Sequence, residues 1–224
     1  MKTDAMVEAA LLELFPLAKG RSDAASWAID RLIQAERYRR SSPDSVSGAF
    51  HVLALTQGAL LKEEFDLSTH AHHDGWVLGA VVVDPIEFIH VNMRYGFEVG
   101  DRVLRAIVTS IQNVYSKSKV VRIHTDALAA FLGPTSELCV DEAMVPALRA
   151  SLKSATQKIL PDDGSPPMSL EFTVALLEMT VVDPPNWQML GPLAWAECER
   201  ALVCARRNQV QTIIRRRFEL HGRI

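Results

Sequence analysis

The sequence predicts an α+β fold, a central mixed sheet of about five strands flanked by helices, with a helical extension in front of it. Stretches 76–83, 119–123, 128–132, 170–179 and 210–214 have strand length and apolar or alternating composition. The second and third are separated only by the tip His124-Thr125-Asp126-Ala127, so they form a hairpin. Between the other strands lie stretches whose apolar residues recur at three- and four-residue steps, the period of helices with one buried side.

Residues 4–17 form an apolar-rich helix that stops near Lys19-Gly20, and a second helix starts where Ser22 or Asp23 can cap it. Residues 1–40 are too few for a core of their own. They pack either on the rest of the chain or on a second copy of it. Ser41-Ser42-Pro43 is a linker, because proline disfavours helix at the residue before it, so the main domain is expected to span 41–224. A helix over 50–65 follows, with Leu53, Leu60, Leu61 and Phe65 apolar, and then a polar loop over 66–75. His70, His72 and His73 in that loop read either as metal ligands or as a solvated cluster; no neighbouring cysteine or Glu-x-x-His pattern completes a site.

The strand 76–83 delivers Asp84 where the chain emerges from the core. A short helix then sets Ile86, Phe88, Ile89 and Met93 near one face, and Gly96 interrupts it. After Gly100-Asp101 a longer helix carries the stripe Val103, Leu104, Ile107, Ile111 and Val114. Beyond the hairpin, Gly133-Pro134 turns the chain into an amphipathic helix over 141–159, which Pro161 ends. Phe172, Val174 and Leu176 alternate onto one face of the next strand. The last helix is expected over 193–207 and the last strand over 210–214, with Arg215, Arg216 and Arg217 as a solvated end.

A net charge of −3, from 24 basic and 27 acidic residues, argues against nucleic-acid binding. Three cysteines, Cys139, Cys198 and Cys204, lack a C-x-x-C spacing and fit reduced thiols in a cytoplasmic protein. No run of eighteen apolar residues and no leader pattern is present, so no membrane association is expected.

The order of parts, with Asp84, Asn92, Gly100-Asp101 and the hairpin tip at their spacings, resembles the GGDEF domain of diguanylate cyclases, which join two GTP molecules into cyclic di-GMP. The resemblance implies a palm of the nucleotidyl-cyclase kind and bacterial signalling through cyclic di-GMP. It also implies roles. Asp84 and Asp126 would hold magnesium with a bound nucleotide, Asn92 and Asp101 would read guanine, and Arg206 would touch phosphate. Read without it, Asp84 ends a strand, Asp126 serves a turn, and Asn92 and Asp101 cap helices.

The tip departs from the family pattern. His124 and Thr125 replace two glycines, Asp126 keeps the first acid, Ala127 replaces the second, and Leu128 replaces a phenylalanine. Two glycines would let the backbone approach a ligand closely, and the missing acid would accept or orient a proton. Val210 stands where a second phosphate-binding cation belongs. Tyr115-Ser116-Lys117-Ser118 lacks the Arg and Asp of the family's product-feedback site. The expectation is a degenerate, non-catalytic regulatory module. It would act through an unidentified protein partner, with a retained site for GTP or another guanine nucleotide, and would form a homodimer through its N-terminal helices. The alternative is a weak diguanylate cyclase or a magnesium-dependent GTP hydrolase using Asp84 and Asp126.

Overall fold

The computed structural model describes residues 43–44, 46–56, 58, 60–61, 76–116, 118–135, 140–161, 164, 168–181, 187–208 and 213–218. The chain divides into two units, Met1–Ser42 and Pro43–Ile224, and all described residues belong to the second. The N-terminal helices, the histidine loop, Cys139 and Val210 lie outside the described residues.

Elements run β1 (Phe50–His51), α1 (Val52–Thr56), β2 (Trp76–Pro85), α2 (Phe88–Tyr95), α3 (Phe97–Val114), β3 (Lys119–Arg122), β4 (Leu128–Thr135), α4 (Met144–Gln157), β5 (Phe172–Val181), α5 (Trp187–Asn208) and β6 (Ile213–Phe218). Among the described residues, one mixed sheet of six strands has the order β1-β3-β4-β2-β5-β6. Its two outer pairs, β1 with β3 and β5 with β6, are parallel, and the pairs between them are antiparallel.

Both faces of the sheet are covered, because the central strands are apolar at successive positions rather than at alternate ones. Leu78, Ala80 and Val82 of β2 join Ala175, Leu177 and Met179 of β5 in one core, closed by Leu55 of α1 and by Leu190, Ala194, Cys198 and Ala201 of α5. Val81 and Val83 with Val174 and Leu176 build the other, beneath Val103, Leu104, Ile107 and Ile111 of α3 and Leu148 and Leu152 of α4.

Several boundaries differ from expectation for identifiable reasons. Phe50 and His51 form an edge strand in front of α1, tied by an opening turn in which Asp44 Oδ1 accepts from the backbone N–H groups of Val46 and Ser47 at 2.8 and 2.6 Å. Gly133-Pro134 does not turn the chain. β4 runs through it, and the register between Val77 and Gly79 shifts, so that Gly133, at φ 92°, absorbs an extra residue as a bulge that also tolerates the proline. The last helix begins at Trp187, with Pro192 inside it, and the last strand lies at Ile213–Phe218. Helix α3 starts at Phe97, ahead of Gly100-Asp101.

Candidate functional site

The antiparallel pairing of β2 with β4 sets Val83 opposite Leu128, which brings the end of β2 beside the hairpin tip. Asp84 is therefore next to Asp126, close enough for the second charge to act on the first. Asp84, Asp126 and Arg206 line one hollow of about 600 Å³ together with Glu87, Phe88, Ile89, Arg149 and Phe172. Asn92 and Asp101 line a second of similar size with Phe88, Ile89, Met93, Phe97, Arg122, Thr125 and Asp126. The two hollows share Phe88, Ile89 and Asp126, so Asp84, Asn92, Asp101, Asp126 and Arg206 border adjoining hollows, whereas His124, Ala127 and Leu128 of the tip line neither.

Neither Asn92 nor Asp101 caps a helix. Asn92 is inside α2, whose C-cap is Gly96, and Asp101 is in the second turn of α3, whose N-cap is also Gly96. Their closeness depends on Gly100: a Cβ there would collide with Oδ1 of Asn92, so the bare backbone of α3 is what seats the amide.

Asp84 is buried, and its carboxylate has a resident partner. Arg206, in the last turn of α5, donates from Nε and Nη2 to the same oxygen, Oδ2, at 3.1 and 2.5 Å. Burial raises the Asp84 pKa from its ordinary value and prevails over the guanidinium, which lowers it; Asp126 adds to the rise and His124 opposes it. Arg149 lines the same hollow, donating to the carbonyl oxygen of Phe172 at 2.7 Å. Sequence patterning does not single out this cation, since it reaches the hollow only once α4 has packed against β5. Its place on the polar side of an amphipathic helix carries no signal.

The tip is held from α5 and from β3. His124 Nε2 stands 2.9 Å from Glu199 Oε1 of α5, an ion-pair distance not aligned as a hydrogen bond. Arg122 donates to the carbonyl oxygen of Thr125 from Nε at 2.7 Å and from Nη2, and Thr125 Oγ1 is 3.1 Å from Asp126 Oδ1. Ala127 is 0 % exposed and Leu128 is buried beside it, so position 127 faces the core.

Magnesium binding requires near-octahedral oxygen ligands at about 2.0–2.1 Å, with water and phosphate completing one or two carboxylates. Here Oδ2, one of the two carboxylate oxygens of Asp84, already carries the Arg206 guanidinium, so an ion bridging both acids would meet a fixed positive charge. No group of three His, Cys, Asp or Glu able to hold a metal occurs among the described residues. The expected pair Asp84 and Asp126 is brought together, but the arrangement as it stands does not fit a magnesium ion.

A family model, described as the GGDEF domain of diguanylate cyclases, matches residues 55–180, more than half of the chain. No curated protein matches it in sequence. Among solved structures, the diguanylate cyclase SiaD from Pseudomonas aeruginosa, in complex with its activator SiaC, shares 18% identity at a TM-score of 0.53, over 96% of this chain and 76% of that one. The coiled coil and GGDEF domain of DgcB from Caulobacter crescentus, in complex with c-di-GMP, shares 14% at 0.51 over 89% and 99%. The GGDEF domain of YfiN from Pseudomonas aeruginosa shares 23% at 0.50 over 79% and 94%. At these identities the likeness is one of fold.

Proposed function

The chain belongs to the GGDEF domain family of diguanylate cyclases, and from that premise we propose that it is a non-catalytic member, a signalling module that contacts another protein and keeps a guanine-nucleotide site. The observation that carries this reading is the contrast between the two sides of the site. On the base side, Asn92 offers a donor and an acceptor and Asp101 offers acceptors, together suited to the N1, N2 and O6 edge of guanine, and neither is spent on capping. On the reaction side, position 127 is a methyl group directed into the core, and the tip carries His124 and Thr125. Removing a proton-transferring group lowers rates by about a hundredfold to ten-thousandfold.

Ile89, Met93 and Phe97 are 63, 77 and 77 % exposed, a ridge of apolar side chains at the rim that supports a protein contact. The partner is a protein, as SiaC is for SiaD. Residues 1–40 form the helical extension of this reading and the means of pairing two copies, and the setting is the cytoplasm.

Titrating GTP, GDP and cyclic di-GMP into the full chain tests the binding half. GTP and GDP bind, and Asn92→Ala and Asp101→Ala each weaken binding about tenfold, the worth of a good hydrogen bond to a charged or bidentate group. Equal binding by the variants, or no preference for guanine over adenine, removes it. Incubation with GTP and magnesium yields no cyclic di-GMP. Turnover that Asp84→Ala abolishes would establish instead the weak cyclase or GTP hydrolase that the neighbouring Asp84 and Asp126 favour.

A further inference from the structure

We infer that Arg206 is the built-in cation of the acid pair Asp84 and Asp126: its guanidinium occupies the charge position of a divalent metal ion, so this cleft meets phosphate with an arginine and without a metal. Three observations support this. The Asp84 side chain is only 6 % exposed, and a buried carboxylate needs a compensating charge that stays with it. The charge is supplied from 122 residues away in sequence by two N–H groups converging on one oxygen, an arrangement that fixes the guanidinium in place. Asp126 lines the same hollow, so the two acids and one guanidinium form a single cluster.

An arginine in this position also has donors to spare. Guanidinium carries five N–H groups, of which the pair with Asp84 uses two, and the Arg206 side chain is 54 % exposed along the wall of the hollow. A phosphate entering there meets a planar fork suited to its oxygens, and Arg149 lines the same hollow. A divalent ion would have to approach that fixed positive charge and displace it from Asp84 Oδ2. Removing the guanidinium, by contrast, leaves two neighbouring carboxylates facing one hollow, the minimum set for a weak divalent site.

The expected behaviour is therefore inverted relative to an ordinary metal site: deleting a cation creates metal binding. Manganese is titrated into the full chain without nucleotide and free ion is followed by electron paramagnetic resonance, for wild type, Arg206→Ala, Arg206→Gln, and Arg206→Ala combined with Asp84→Asn. Both single variants bind manganese at least about tenfold more tightly than wild type, and the added Asp84→Asn change abolishes the gain. Arg206→Gln retains most of the side chain, so the result does not hang on one truncation. Manganese binding by wild type as tight as that of the single variants, or no gain in either single variant, overturns the inference. Because no nucleotide is present, failure here is distinguishable from failure of the GTP titration. Where GTP binds, its affinity changes less than about twofold between magnesium and excess EDTA, and a strict magnesium requirement counts against Arg206 as the resident cation.

Discussion

Burial and the guanidinium of Arg206 pull the Asp84 carboxyl in opposite directions, and because burial prevails the folded protein holds this proton more tightly than the unfolded chain does. Stability from this group is then fully present below the ordinary value of 3.8 and is lost as pH rises through the higher folded pKa. Carbon-detected carboxyl titration should place Asp84 above 3.8 in wild type and higher again in Arg206→Ala, where the lowering influence is gone; a wild-type midpoint below 3.8 contradicts this balance. Further along, Glu87 has φ 56°, the one non-glycine residue in the left-handed region among the described residues, at the corner between β2 and α2. A side chain there costs about 1–2 kcal/mol, part of which glycine returns as chain entropy. Glu87→Gly is expected to raise stability in urea unfolding by up to about 1 kcal/mol, although Glu87 lines the hollow of Asp84 and Arg206 rather than the core.

At the scale of elements, two glycines on helices have opposite consequences. A methyl at Gly191 of α5 would meet the carbonyl oxygen of Leu55, backbone against backbone, and neither side can rotate away. Gly191→Ala should therefore lower stability by about 1–3 kcal/mol despite alanine's better helix propensity. A methyl at Gly100 of α3 meets the end of a side chain, the Asn92 amide, which can move. Gly100→Ala should melt within about 1 kcal/mol of wild type, while losing the part of nucleotide binding that Asn92→Ala also loses. Helix α2 shows why such facts escape a sequence. Sequence spacing sets Ile86, Phe88, Ile89 and Met93 near one face, but the helix lies at the rim and divides them: Phe88 points inward with Val91, while Ile89 and Met93, and Ile86 ahead of the helix, are exposed. The same limit hides the Asp84 and Arg206 pair, because nothing local in either segment announces a partner 122 positions away. Strands β2 and β5 and the stripe of α3 were legible because each repeats its pattern over several turns or pleats. β1, with two residues, has no period to read.

The unit Pro43–Ile224 is organised, in its described residues, by strands that serve two cores at once. Along β5, Ala175, Leu177 and Met179 belong to the layer under α1 and α5, while Val174 and Leu176 belong to the layer under α3 and α4, and β2 divides its side chains in the same way. Neither layer can loosen without releasing strands that the other requires, so the two cores are expected to unfold together even though no side chain is shared between them. Leu176 and Leu177 are adjacent and both 0 % exposed, and they send their side chains into opposite layers. Leu176→Ala and Leu177→Ala should each cost about 2–5 kcal/mol. Hydrogen exchange distinguishes a common unit from two separable ones. Within each variant, amides of β2, β4 and β5 and of the helices on both layers should lose protection by one common factor. If Leu176→Ala instead accelerates exchange in α3 and α4 while α5 stays protected, the layers open independently. The ion pair of Asp84 and Arg206 would then survive opening of the α3 and α4 layer, since Asp84 is carried by the shared strand and Arg206 by α5.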